Sequence, residues 1–264
     1  MKRNIITVPI RKVEQSSVTS EQDLLAVEEP LEIRLGERNV AITMRTPGND
    51  KELALGFLFT EGILRDRSQV SEIAIGDRNR VTVTLRDESG VDFERLERNF
   101  YVSSSCGVCG KASIQAVEAI GCPILARNSA RIDAGIIHAL PEKLRASQMV
   151  FNRTGGLHAA ALFDTAGQLI DVREDVGRHN ALDKLLGAAF LKGAVPLENQ
   201  VLMVSGRISF ELVQKALMAS IPVMAAVGAP SSLAVELALR YGMTLIGFVR
   251  DRRFNIYSGE ARVN

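Results

Sequence analysis

The chain has 264 residues, 46% of them apolar and 24% charged, with 32 Lys and Arg against 31 Asp and Glu. That length buries a substantial core in one large domain or two smaller ones. A net charge of +1 offers no global field for nucleic acid or an anionic membrane, and no Trp with three Tyr leaves few platforms for stacking single-stranded bases.

The first twenty residues hold no apolar run of signal-peptide length, and nothing later reaches the ~20 residues of a membrane span. The chain therefore reads as cytoplasmic, where three cysteines make no disulfide framework. Residues 31–35 and 40–44 flank Gly36-Glu37-Arg38 and read as a hairpin. Asn49 or Asp50 is placed to cap a helix carrying Leu53, Leu55, Phe57 and Leu58, with Gly62 as its stop. Residues 81–85 alternate as a strand does. Residues 1–100 thus read as a small α+β unit without a reactive cluster, expected to support rather than catalyse.

Residues 100–111 change character. Ser103-Ser104-Ser105-Cys106-Gly107-Val108-Cys109-Gly110 is small and polar and is expected to form a mobile loop, with helical patterning resuming over 112–120. Residues 157–163 and 168–173 flank Asp164-Thr165-Ala166-Gly167 as a second hairpin, and helix character runs over 179–190. Strands at 201–204, 222–227 and 244–249 then alternate with helices at 209–220 and 231–241. Apolar strands joined by amphipathic helices imply a largely parallel sheet covered on its faces. The fold class is α/β, or α+β over the whole chain, with the larger α/β domain spanning 101–264.

Three chemistries use a pair such as Cys106 and Cys109. Structural zinc needs four ligands, and no second cysteine pair exists to supply them; His138, His158 and His179 have no helpful spacing. Disulfide exchange fits the spacing, since a helix start and a cation such as Lys111 lower a thiol pKa. The Ser-rich approach, however, differs from the thioredoxin arrangement. Persulfide chemistry needs the same nucleophilic thiolate together with mobility, which the flanking Ser and Gly favour. Cys122, alone before Pro123, reads as a small buried hydrophobe.

Polar residues also crowd four junctions. Thr154-Gly155-Gly156-Leu157-His158 puts two glycines before a strand, where a ligand or another segment can approach the backbone. A lone strand histidine is more often a core residue than a catalyst, but those glycines bring His158 nearer to even. Glu174-Asp175-Val176-Gly177-Arg178-His179-Asn180-Ala181-Leu182-Asp183-Lys184 places Arg178, His179 and Asn180 in a helical first turn, where free N–H groups favour anions. A capping cluster with ion pairs accounts for it equally well. Ser205-Gly206-Arg207-Ile208-Ser209 and Gly228-Ala229-Pro230-Ser231-Ser232 each lie between a strand and a helix, where open α/β sheets bind ligands. Neither matches a P-loop or a dinucleotide fingerprint, so they point to an anion and no further. Finally, three arginines in the stretch Phe248-Val249-Arg250-Asp251-Arg252-Arg253 suit phosphates, and Phe248 offers a stacking face. A solvated charged turn is the alternative.

Together these segments resemble the formate dehydrogenase accessory sulfurtransferase family, FdhD/NarQ. The matching stretches are Ser104-Ser105-Cys106-Gly107-Val108-Cys109-Gly110-Lys111, Thr154-Gly155-Gly156-Leu157-His158-Ala159-Ala160, Glu174 through Lys184, Ser205-Gly206-Arg207-Ile208-Ser209-Phe210-Glu211 and residues 248–257. Leu53-Ala54-Leu55-Gly56-Phe57-Leu58 and Glu61-Gly62 are similar to the family too, so the resemblance spans nearly the whole chain from about residue 30.

The resemblance implies a sulfur carrier, a sulfurtransferase loaded by a cysteine desulfurase as a persulfide on Cys106. The sulfur then passes to the molybdenum cofactor, in its bis(molybdopterin guanine dinucleotide) form, for formate dehydrogenase. By the same resemblance Cys109 assists or resolves, and Phe248, Val249, Arg250, Asp251, Arg252 and Arg253 bind the guanine dinucleotide portion. No metal is held by the protein directly, and a homodimer is expected. The larger domain is implied to be similar to the cytidine deaminase fold, which makes a zinc deaminase the runner-up. That chemistry needs His-x-Glu alongside Pro-Cys-x-x-Cys. Here Ala159 and Ala160 follow His158, and Ser105 precedes Cys106. A chaperone that only binds and docks the cofactor is a third reading.

Overall fold

A computed structural model describes residues 3–77, 79–87, 120–126 and 130–264. Cys106, Cys109, Lys111, the expected loop over 100–111 and all but Ile120 of the helix expected over 112–120 lie outside the described residues.

The chain opens with a two-stranded antiparallel ribbon, β1 (Ile5–Glu14) and β2 (Ser17–Ala26), exposed along most of its length. The expected first hairpin follows as β3 (Glu29–Leu35) and β4 (Arg38–Arg45), turning at Gly36 with φ 55°. With β5 (Val70–Gly76) and β6 (Arg80–Leu85) they form a sheet in the order β4-β3-β6-β5. The period of two puts Leu31, Ile33 and Leu35 on one face with Val81, Val83 and Leu85, all buried. That core also takes in Leu53, Ala54, Leu55, Leu58 and Phe59 of α1 (Asp50–Thr60). Asn49 stands at the cap position, but with φ 59° its side chain makes no capping bond. The Asp50 carboxylate is taken by the buried Arg45 guanidinium, at 2.8 and 2.9 Å, so neither expected cap is made. Gly62 does close the helix, with φ 76° and its N–H on the Phe59 carbonyl.

The larger sheet runs β12-β11-β10-β9-β7-β8. Its strands are β7 (His158–Asp164), β8 (Leu169–Asp175), β9 (Gln200–Val204), β10 (Val223–Ala226), β11 (Thr244–Arg250) and β12 (Arg253–Ser258). Only β9, β10 and β11 are mutually parallel, so the sheet is mixed rather than largely parallel. The cause is local: β7–β8 and β11–β12 are joined by tight turns, and a tight turn can only join antiparallel strands. The strand β12 also relocates the arginine-rich stretch. Residues 248–253 do not trail from a last strand; they span the end of β11, a turn and the start of β12.

Among the described residues, helices α2 (Ala134–Ser147), α3 (Phe151–Thr154), α4 (Arg178–Leu191), α5 (Phe210–Met218) and α6 (Ser232–Tyr241) complete a mixed α/β fold of three sheets and six helices. One apolar core joins α4, α5 and α6 to one face of the six-stranded sheet and continues to α1 and the four-stranded sheet. On the other face, Ile137, Leu140 and Leu144 of α2 pack over Ala161, Phe163, Met203, Val223, Ile246 and Val249. No helix among the described residues is long and apolar enough to cross a membrane.

Candidate functional site

Strands β9, β10 and β11 end at Val204, Ala226 and Arg250 along one edge of the sheet. Because β7 runs against β9, and β8 against β7, the start of β7 and the end of β8 reach the same edge. The crowded junctions therefore converge there, as ligand sites of open α/β sheets do.

Backbone bonds stitch them into one ledge. The Ser205 N–H donates to the Ala159 carbonyl at 3.0 Å, and the Ala159 N–H donates to Ser205 Oγ at 2.9 Å. Gly228 N–H donates to the Gly206 carbonyl at 3.2 Å, and Phe248 N–H to the Gly228 carbonyl at 3.0 Å. A Cβ on Gly228 would stand 2.9 Å from the Gly206 oxygen, so the two loops meet closer than any side chain allows. The other glycine pair works differently. Gly155 has φ 68° and ends α3, its N–H on the Phe151 carbonyl at 2.7 Å.

The segment from Glu174 to Lys184 divides between structure and edge. Glu174 accepts from the Val150 and Phe151 N–H groups, at 2.9 and 2.8 Å, holding the start of α3. Asp175 is fully buried, 2.7 Å from Lys184 Nζ, and accepts from Thr46 N–H and Gly177 N–H. Asn180 turns inward to the Met44 carbonyl and Asp175. Asp183 meets Lys215 Nζ at 2.9 Å and accepts from the Thr60 hydroxyl. Asp175, Asn180, Asp183 and Lys184 weld α4 to α5, to the end of α1 and to the loop after β4. What remains at the edge is Arg178 and His179, both half-buried.

His179 is held from α5. Its Nε2 lies 3.2 Å from Ser209 Oγ and 3.8 Å from a Glu211 carboxylate oxygen. Burial pushes the Glu211 carboxyl up, but hydrogen bonds from His179, Ser209 and its own N–H outweigh that and bring it to about 2. Glu211 is therefore anionic. Burial lowers the pKa of His158, and Arg178 and His179 push the same way against Asp175, so His158 is held neutral. A Cβ on Gly206 would lie 3.3 Å from His158 Nδ1, which puts that ring against the ledge. The residue types along the chain assigned no part to Glu211. The signal was topological: α4 and α5 start at one sheet edge, so residues of their first turns face each other.

The hairpin at the end of β11 presents Arg250, Asp251, Arg252 and Arg253 to solvent, and Arg250 lies over the Phe248 ring at 5.9 Å. Phe248 adopts φ 55°, an uncommon conformation for an aromatic residue. Val249 alternates to the opposite face and is buried under α2. Cys122 is partly buried, and that burial raises its thiol to about 12, so it is inert as a nucleophile. Among the described residues, no three of His, Cys, Asp and Glu gather to hold a metal ion.

The chain is similar along nearly its whole length to several known proteins. It is 50% identical over 262 residues to the sulfur carrier protein FdhD of Streptomyces avermitilis, covering 96% of this chain and 93% of the relative. It is 46% identical over 257 residues to the protein of the same name from Sulfolobus acidocaldarius, covering 97% and 98%. A crystal structure described as a formate dehydrogenase accessory protein, from Desulfotalea psychrophila, superimposes with a TM-score of 0.77 at 24% identity. That superposition covers 99% of this chain and 100% of the other, and shows the shared fold. With the FdhD/NarQ family model matching residues 26–264, the chain belongs to the FdhD/NarQ family.

Proposed function

We propose that this protein is a sulfur carrier that serves formate dehydrogenase, with Cys106 as the atom-bearing residue. A cysteine desulfurase loads Cys106 as a persulfide in the cytoplasm, and Cys109 assists or resolves. The acceptor is the molybdenum cofactor in its bis(molybdopterin guanine dinucleotide) form, which is substrate here and not a resident group. The protein thereby acts as a sulfurtransferase, and as a homodimer.

The observation that carries this reading is the convergence of polar junctions on one sheet edge, beside a hairpin of three exposed arginines and an aromatic ring. Guanidinium groups pair with phosphates bidentately, so residues 248–253 suit the guanine dinucleotide portion. Residues 1–100 act as the supporting part and 101–264 as the part that carries the chemistry. The order β8-β7-β9-β10-β11, flanked by helices on both faces, supports a cytidine deaminase-like architecture for the latter.

Incubation with a cysteine desulfurase and sulfur-labelled cysteine tests the reading. Label is expected on the wild-type protein and absent from Cys106→Ala. Equal uptake by the variant would overturn it.

A further inference from the structure

Among the described residues, the ribbon β1–β2 pairs with no other strand. Its ten residue pairs run in unbroken register from Ile5 and Ala26 to Glu14 and Ser17, an arm about 33 Å long. None of its residues is buried. The base is anchored where β2 passes α3, and a Cβ on Gly156 would lie 3.9 Å from that of Ala26. Two strands with open edges and no second layer are marginally stable at best in water.

This ribbon carries apolar residues nonetheless. The register puts Ile5, Leu24 and Ala26 on one face, the one that meets Gly156. Ile6, Val8, Ile10 and Leu25 stand on the other, turned away from Gly156, with Ile6 opposite Leu25. Ile6 and Leu25 are 46% and 42% exposed.

We propose that the Ile6–Val8–Ile10 face of this arm packs against the same face of a second copy of the chain, the two arms lying antiparallel. The inference rests on the homodimer in the reading above and supplies its surface. Cover is needed whenever the chain folds, and another copy is present wherever the chain is made. The face is self-complementary as well. A two-fold axis through Val8 sets Val8 on its own copy and Ile6 on Ile10 in both halves, as an isologous contact requires. Lys12 of one arm then comes over the base of the other, beside the exposed Glu28. Its present pair with Glu14, at 2.8 Å, is an exposed one of the weak surface kind, so Lys12 is free to turn. Glu21 and Asp23 fall at the rim, in solvent. The ten residues of the face are fewer than the roughly 20–30 a side of a standard interface, so the dimer is reversible and concentration-dependent. Because Gly156 stands just before His158, pairing the arms also fixes the two ligand edges relative to each other.

Sedimentation velocity on the full-length protein, over a range of concentrations, tests the arm. Wild type is expected to pass from monomer to dimer. Val8→Asp brings two carboxylates together at the axis and should weaken association at least about a hundredfold. Val13→Asp, the same kind of change on the opposite face, should leave association as it is. Thermal unfolding of both should match wild type, since neither side chain lies in the core. Should Val8→Asp unfold, amide hydrogen exchange on wild type carries the test. Dilution below the dimer range should speed exchange over residues 5–26 and leave the strand Gln200–Val204 protected. An unchanged dimer in Val8→Asp, equal weakening by Val13→Asp, or exchange over 5–26 indifferent to dilution would overturn the proposal. A wild-type monomer would do so too, and protected amides over 5–26 would then place their cover in the same chain. Neither readout involves sulfur: label retained by Cys106→Ala would sink the carrier reading and leave the arm standing.

Discussion

Gly56 and Gly187 meet backbone to backbone where α1 crosses α4. A Cβ on Gly56 would lie 1.8 Å from the Asp183 carbonyl oxygen, and one on Gly187 1.8 Å from that of Glu52. Glycine inside a helix costs about 1 kcal/mol relative to alanine, so these two positions are occupied for contact and not for helix propensity. The crossing brings Thr60 to Asp183 and Lys215, and thereby fixes where α4 starts at the sheet edge.

Alanine at either glycine must therefore separate two helices, not only crowd a side chain. Gly56→Ala or Gly187→Ala is expected to cost at least about 3 kcal/mol, the upper end of overpacking penalties. Urea unfolding measures it. A loss below 1 kcal/mol would mean the crossing relaxes freely.

Lys184→Met should be equally severe for a different reason. It leaves the Asp175 carboxylate buried without its cation, a change that typically costs about 3–5 kcal/mol. Replacing Asp175 by Asn in the same chain should recover part of that loss. Additive losses in the double variant, again by urea unfolding, would contradict the pairing.

Glu211 gives a pH signature. Its folded pKa, about 2, is depressed from the ordinary 4.5. Its contribution to stability is therefore complete above about 4.5 and is lost as pH falls toward 2. The difference in unfolding midpoint between wild type and Glu211→Gln should be constant above pH 5 and shrink through that window. A constant difference down to pH 2 would show that the carboxyl is not held low.

The exposed arginines should matter to ligand and not to fold. Alanine at Arg250, Arg252 and Arg253 together is expected to weaken guanosine diphosphate binding by at least about tenfold, since hydrogen bonds to charged groups contribute about 1.5–3 kcal/mol each. Calorimetric titration and thermal unfolding separate the two effects. Unchanged affinity would remove residues 248–253 from the proposed nucleotide site.

Much of the fold was legible because burial follows period. The hairpin around Gly36, α1, the β7–β8 hairpin and the alternation from β9 to β11 each bury a regular apolar set. The ribbon β1–β2 was not, because it buries neither face and so shows no alternation. Strand β12 was missed for a related reason: Arg253, Asn255 and Ile256 are exposed, so the arginine stretch looked like a tail. At the site, the convergence of junctions could be read from strand ends alone. The inward turn of Asn180, Asp183 and Lys184 could not, because α4 is buried almost all round and polar residues there have partners distant in sequence.

The central claim is that Cys106 carries transferable sulfur. The most direct measurement is the mass of the peptides containing Cys106, Cys109 and Cys122 after the protein is incubated with a cysteine desulfurase and cysteine. The account predicts the addition of one sulfur atom at Cys106, removable by a thiol reductant, and none at Cys122, whose thiol is held at about 12. An unmodified Cys106, or sulfur borne by another cysteine in Cys106→Ala at the wild-type level, would contradict it.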